Sequence, residues 1–403
     1  MSWAMYSPYF PAAEYREPPA RCEITQVNII QRHGARFPTS GASKGIIAAV
    51  TKLKSATHYT DTKFDFLKNF TYALGTDDLV PFGALQSMQS GRNVVMRYPE
   101  LVSPKDLPFV RSSSGQRVVD SATNWTSGWF LATGERPPLS VILAEDRNDT
   151  LDDNMCPNAG GSDVQTEAWI NVFTPPIAER LNAKAPGANL TFDDVYSLMT
   201  LCPFETVATE KLSRFCDLFS RDEFRQFEYF GDLDKYYNTG YGQALGRVQG
   251  VGYVNELLAR LTGTPVRDNT QTNRTLDSSP ITFPLNHSIY ADFSHDNQMI
   301  AIYAAIGLFE QAVALDPTTP DPKRNWLASK LVPFSAKMVT EKLVCADGKG
   351  KGKEYVRMLV NDALQPLKFC GADKDGLCEL QAFVKSQAYA RSDGAGDFEK
   401  CFD

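Results

Sequence analysis

Histidine is scarce in this chain: four occur in 403 residues, His33, His58, His287 and His295. Chemistry that needs an imidazole therefore has few places to sit. No apolar run approaches the ~18 residues of a membrane-spanning helix, which excludes such a span. No Cys-x-x-Cys pair is present, so zinc and thioredoxin-type readings are weak. A G-x-x-x-x-G-K-[ST] phosphate loop is missing, which removes NTPase readings, and so is the G-x-S-x-G elbow of a serine hydrolase. There is no basic block; the net charge is −7 and the pI about 5.3, which argues against a nucleic-acid partner. The opening Met1-Ser2-Trp3-Ala4-Met5-Tyr6 has neither the basic nor the apolar region of a signal peptide.

What is present describes a packed globular chain. Hydrophobic residues make up 43%, with 24 Phe and 16 Tyr, and the length suits a large core with two subdomains. Eight cysteines, at 22, 156, 202, 216, 345, 370, 378 and 401, form an even set. Eight allow 105 pairings; Cys202/Cys216 and Cys370/Cys378 are the easiest to defend as local loops. N-x-S/T sequons stand at Asn69, Asn124, Asn148, Asn189, Asn273 and Asn286. Sequons and even cysteines together point to a secreted, extracellular glycoprotein. An acidic protein repels an anionic substrate less as its carboxylates protonate, so phosphate chemistry here favours acid conditions.

Residues 1–20 read as an extended arm over the surface. Ile24 to Ile30 is a β-branched apolar run, hence a buried strand, and it ends in Arg32-His33-Gly34-Ala35-Arg36-Phe37-Pro38. Lys44 to Lys54 has helical spacing, and Asp77-Asp78 are placed as N-cap residues for a helix from Pro81 to Tyr98, with Leu85, Met88 and Val95 on one face. Phe109-Val110-Arg111 reads as a short strand, followed by a helix with Val118, Ala122, Trp125 and Trp129 as its apolar stripe. Residues 145–245 carry short helical runs and no persistent strand alternation. Gly252 to Leu261 is a helix stopped by Gly263. Ser288 to Ser294 repeats the opening logic: a strand ending in His295-Asp296, then an apolar helix from Met299 to Leu308. Strands follow at Met338 to Val344 and Tyr355 to Val360, around a Gly/Lys turn at 347–353.

Two arginines beside a histidine hold its ring neutral by like-charge repulsion, leaving a nucleophile, and can clamp phosphoryl oxygens. The bland alternative is a surface turn with scattered cations. Asp296 near a helix N-terminus stands where a bound anion is also favoured. A metal held by His33, His295 and Asp296 is the weaker alternative, since arginines share the place. Arg111 has its own plain alternative, a surface arginine at a sheet edge. His58 and His287 read as solvent-facing.

The spacing R-H-G-x-R-x-P resembles the signature of the histidine acid phosphatases. With Val110-Arg111-Ser112 and Ser294-His295-Asp296-Asn297, the chain resembles fungal phytases over nearly its whole length, from about Tyr9 to Cys401. Supporting stretches include Gly252 to Leu257, Thr282 to Asn286 and Val356 to Asp362. Asn154-Met155-Cys156-Pro157-Asn158 is most similar to the basidiomycete group, described as starting at the 6-position of the inositol ring. The resemblance implies an α/β histidine-phosphatase core with a mixed sheet flanked by helices, at 1–45, 78–145 and 246–403, and a mostly α-helical cap at 46–77 and 146–245. It implies stepwise hydrolysis of myo-inositol hexakisphosphate with His33 as the nucleophile that becomes phosphohistidine. Asp296 would be the general acid, and Arg32, Arg36, Arg111 and His295 would hold the phosphoryl oxygens. No cofactor or metal is required, and the expected state is a monomer acting on a small-molecule substrate. Lys235 matches a substrate-pocket lysine and Lys44 stands near the rim; for both, a solvated surface position is the plain alternative. The implied disulfides are Cys22–Cys345, Cys156–Cys401, Cys202–Cys216 and Cys370–Cys378. An N-terminal pair found in many ascomycete phytases is missing, which implies a less anchored N-terminal arm. A broad-specificity acid phosphatase is the alternative within the same chemistry, and a non-catalytic phosphate-binding protein the alternative outside it.

Overall fold

The structure, a computed structural model, describes residues 2–346 and 352–403. Its strands in chain order are β1 (Cys22–Arg32), β2 (Phe109–Ser113), β3 (Leu139–Leu143), β4 (Ile289–Ser294), β5 (Lys337–Cys345), β6 (Lys353–Val360), β7 (Ala363–Leu364) and β8 (Cys378–Glu379). They form one sheet of order β3-β2-β4-β1-β5-β6-β7, with β8 paired to β6. β1, β2, β3 and β4 run parallel to their neighbours within that group, whereas β5 pairs antiparallel with β1 and β6. The mixed sheet matches the expected architecture. The edge strand β3 was not among the expected elements; its short run leaves Ile142 half-exposed, so its apolar signal is brief.

The period of two along β1 sends Val27 and Ile29 to one face and Ile30 to the other. The main helices are α1 (Ser40–Lys54), α2 (Pro81–Arg97), α3 (Gln116–Thr133), α4 (Asp163–Phe173), α5 (Pro175–Lys184), α6 (Phe192–Thr209), α7 (Arg221–Asn238), α8 (Val251–Thr262) and α9 (Asp296–Ile306). α2 and α3 cover the Val27/Ile29 face; Val118, Ala122, Trp125 and Trp129 are buried there as their spacing predicted. α2 departs from its expected stripe. Leu85 is 52% exposed, and the buried face is Gly83, Ser87, Ser90, Gly91 and Val94. Backbone proximity explains this: a Cβ at Gly91 would stand 2.2 Å from the Trp125 carbonyl, and one at Gly128 1.9 Å from that of Met88. Small residues are needed where two helices come this close.

Two further expectations are corrected. Asp77 and Asp78 do not cap α2, which starts at Pro81 after Val80; a proline tolerates the first helical position. Asp77 instead accepts from Ser40 N at 3.2 Å, at the start of α1. The N-terminal residues are not a loose surface arm. Trp3, Ala4 and Met5 are buried, and Ala4 N donates to Glu228 Oε2 at 2.9 Å. Burying apolar side chains anchors this segment without the extra disulfide. α1 packs on α6, with Lys52 Nζ 2.6 Å from Asp194. The turn expected at 347–353 lies mostly outside the described residues.

All four implied disulfides are present: Cys22–Cys345, Cys156–Cys401, Cys202–Cys216 and Cys370–Cys378. Asn69, Asn148, Asn189 and Asn286 are exposed. Asn124 and Asn273 are half-buried; Asn124 donates to the Asp120 carbonyl and Asn273 accepts from Leu276 N.

Candidate active site

β1, β2 and β4 are parallel, so their carboxyl ends lie along one edge of the sheet, where α/β folds place ligands. Three turns meet there. The first follows β1: Gly34 and Gly83 face each other so closely that a Cβ on Gly34 would stand 2.2 Å from the Gly83 carbonyl. Gly34 N donates to Ser121 Oγ and Ala35 N to Gln86 Oε1, both at 3.0 Å. The turn is thus bolted to α2 and α3.

His33 is buried at its centre. Its Nδ1 lies 2.8 Å from the Gly34 carbonyl. A carbonyl only accepts, so Nδ1 carries the proton and Nε2 keeps a lone pair. Burial first, then the charges of Arg32, Arg36, His295 and Arg117, hold the His33 pKa well below its ordinary value. The neutral ring expected from the arginines is therefore produced mainly by burial.

Arg32 is fully buried. Its Nη1 donates to the carbonyls of Met5 and Val332, and its guanidinium lies 4.7 Å over the Phe334 ring. Burial pulls its pKa down to about 10. Arg36 donates Nη1 to the Phe37 carbonyl at 2.8 Å and lies over Phe204. Arg32 Nε and Nη2, Arg36 Nε and Arg117 Nε are buried donors with no hydrogen-bond partner among the described residues. Arg32 Nη2 does stand 3.2 Å from Asp296, as an ion pair without hydrogen-bond alignment.

β4 ends in Ser294, and His295 and Asp296 open α9. Asp296 lies 3.0 Å from Lys235 Nζ. Arg32 and Lys235 keep its carboxyl well below the usual range despite burial. Lys235, in the last turn of α7, is buried and also meets Asp234 at 3.1 Å and Asn297 Oδ1 at 2.7 Å. Two charges of the site thus come from opposite sides, one from the sheet edge and one from the helical segment. His295 Nε2 lies 3.0 Å from Glu145 Oε1, and its Nδ1 faces Arg117 Nη2 at 3.4 Å. The His33 and His295 rings are 5.7 Å apart.

Arg111 is not in this cluster. In register it pairs with Asp292, level with Ile30 and short of His33. Its side chain alternates to the α8 face, where it bonds Asp292 at 2.8 Å and Glu256 at 2.6 Å, with Arg260 sharing Asp292. Those two carboxylates occupy its donors, so it is a buried structural ion pair. The second turn delivers Arg117 instead. The strand continues to Ser113, and Arg117 stands in the first turn of α3. A sequence signal for it existed: a cation at a helix N-terminus opposes the dipole and is unexplained without an anion nearby. Glu145 was likewise missed. It accepts from Ser113 Oγ at 2.9 Å and Gly115 N at 2.8 Å, and the His295 contact leads in lowering its pKa to about 2. Glu145, Asp152 and His295 bring ligand atoms within 4.8 Å of one another. Glu145 Oε1 and His295 Nε2 are already engaged with each other.

Of the other expected residues, Lys44 is exposed in the first turn of α1. His58 is exposed, and His287 is half-buried against Asp106 at 2.7 Å.

Comparison with known proteins places the chain in a family. A family model described as "Histidine phosphatase superfamily (branch 2)" matches residues 23–361. Curated relatives include Phytase A of Arthroderma benhamiae, 42% identical over 98% of this chain and 91% of its own. Phytase A of Aspergillus fumigatus is 40% identical, covering 99% and 90%. Among solved structures, the phytase from D. castellii superposes with a TM-score of 0.80 at 24% identity, over 96% of this chain and 84% of that one. The matched span includes every turn of the site just described, and the chain belongs to the histidine phosphatase superfamily, branch 2.

Proposed function

We propose that this chain is a phytase, a phosphoric monoester hydrolase that removes phosphate stepwise from myo-inositol hexakisphosphate. The observation that carries the chemistry is a neutral, buried His33 ringed by guanidinium donors that lack partners. The substrate class is supported by relatives named Phytase A that match end to end at about 40% identity. His33 Nε2 attacks phosphorus, the ester P–O bond breaks, and Asp296 gives its proton to the departing oxygen. Water then attacks the phosphohistidine, Asp296 takes up a proton, and His33 leaves as the neutral ring. Arg32, Arg36 and Arg117 hold the phosphoryl oxygens, with His295 beside them as a further contact. Positioning and charge stabilisation carry most of such a reaction.

Asp296 must be protonated to act as an acid, yet it is ionised in the free site. A bound phosphoryl group competes for Arg32 and Lys235, weakens their hold on Asp296 and raises its proton affinity. Proton supply is thereby tied to substrate binding. Lys235 contacts a phosphate neighbouring the reacting one, and exposed Lys44 reaches one at the rim. Segments 46–77 and 146–245 act as the cap, and substrate enters between them and the sheet edge. Removal starts at the 6-position, and the enzyme acts as a secreted monomer; four disulfides and the exposed sequons support an oxidising compartment.

The test compares kcat/KM on phytate and on 4-nitrophenyl phosphate, with the first inositol pentakisphosphate identified. A phytate preference is expected; a strong preference for the aryl ester would establish the broad-specificity phosphatase instead.

A further inference from the structure

Behind the catalytic turn lies a second cavity of about 300 Å³, lined by Tyr9, Phe82, Leu85, Gln89, Ser335 and Lys337 among others. That volume sits at the lower end of small-ligand pockets. Its position is set by the chain on either side of the nucleophile: Lys337 on β5 pairs with Gln31 on β1, and Ser335 N donates to the His33 carbonyl at 3.0 Å. α2 forms one wall, through Phe82, Leu85 and Gln89, and neither Arg36 nor Asp296 lines it.

Two polar groups there have no hydrogen-bond partner among the described residues. Lys337 is only 6% exposed, and its ammonium makes no hydrogen bond or ion pair with the described residues; it rests 4.5 Å over the Tyr9 ring. The nearest carboxylate that acts on it, Asp362, is already bound by Arg97 at 2.5 Å and Tyr9 Oη at 2.7 Å. Ser335 is 3% exposed, and its Oγ has no partner. A buried hydroxyl left open is costly unless a ligand meets it, and an ammonium held over an aromatic ring without an ion pair of its own is an open point of attachment for an anion. The remaining walls are aromatic, aliphatic and carboxamide, with the Ser90 hydroxyl already donating to Gln31, so the pocket provides one positive charge beside an apolar surface.

We propose that this cavity is a second binding site, for a small organic monoanion whose carboxylate meets Lys337 and Ser335 and whose apolar body lies against Tyr9 and Phe82. A phosphate dianion fits it poorly, since a single cation faces the cavity. Burial pulls the Lys337 amine down to about 8, against the opposing pull of Asp362, so it remains an ammonium at acid pH.

Benzoate is the probe. Calorimetric titration of the whole enzyme at about pH 5, where lysine is charged, is expected to give one site per chain. Benzamide, the neutral isostere, should bind at least about tenfold more weakly. Lys337→Met should weaken benzoate to a similar degree. Leu85→Trp, at the half-exposed mouth, should block entry, and it keeps the test decisive if the lysine variant fails to fold. Both variants should retain turnover of 4-nitrophenyl phosphate, and saturating inorganic phosphate should leave benzoate binding unchanged. Absence of binding, equal affinity for benzamide, or displacement by phosphate would each overturn the proposal, the last by placing benzoate in the catalytic site.

Discussion

His33 is neutral for reasons that a single residue can display: a carbonyl fixes its tautomer, burial removes water, and cations surround it. Because its pKa lies well below 6.5 in the fold, its ring keeps a free lone pair at mildly acid pH, as the proposed nucleophilic role requires. Turnover should therefore persist well below pH 6.5, measured as kcat against pH. Asp296→Asn should slow alkyl phosphates by roughly 10²–10⁴ and aryl phosphates with good leaving groups far less. Equal losses on both would remove Asp296 from the general-acid role. The two arginines of the β2–α3 region separate by the same logic. Arg117→Met should cut kcat/KM while leaving the melting temperature close to that of the parent. Arg111→Met leaves Glu256 and Asp292 short of a cation in the interior, and loss of one partner of such a pair costs about 3–5 kcal/mol. Urea unfolding of both variants, beside their kinetics, checks the assignment.

At the scale of elements, the site depends on how closely helices approach the first turn. α2 presents glycine and serine to α3 and to the Gly34 turn, so that Ser121 and Gln86 reach backbone groups beside His33. Gly128→Ala would push a methyl into the Met88 carbonyl. Overpacking of this kind costs typically about 1–3 kcal/mol. The same variant should lose kcat disproportionately, since the separation of α2 and α3 sets the catalytic turn. A normal kcat with lowered stability would confine the contact to packing. The glycine-serine face also explains why the expected stripe through Leu85 failed: apolar spacing reports where large side chains lie, and this interface is made of small ones.

Across the whole molecule, carboxylates near the site favour acid conditions. Asp149 is fully buried and burial raises its pKa to about 7; Asp153 is raised to about 6. An acid whose folded pKa is raised above its unfolded value contributes stability fully below about pH 3.9, and that stability is lost as pH rises through the folded pKa. The Asp149 term should therefore lower stability from about pH 4 to about pH 7. Asp149→Asn, which keeps an acceptor for Leu151 N, should flatten the melting temperature across that window. An unchanged slope would show that Asp149 is ionised in the fold.

The sequence by itself determined the ends of β1 and β4, the Arg32-His33-Gly34 turn, the His295-Asp296 turn and the Trp125/Trp129 stripe. These are local patterns or distinctive spacings, legible because hydrophobic period and turn chemistry act over a few residues, whereas the four disulfide pairings came from resemblance alone. It also placed Lys235, through resemblance alone. Only the tertiary structure decided between Arg111 and Arg117. That choice turns on register: Arg111 lies level with Asp292 and faces α8, whereas the chain must run on through Ser113 and into α3 before a cation reaches His33. The same holds for Trp3 to Met5 and for Glu145, whose partners lie far along the chain. No local pattern encodes a contact between segments that meet only once the sheet is assembled.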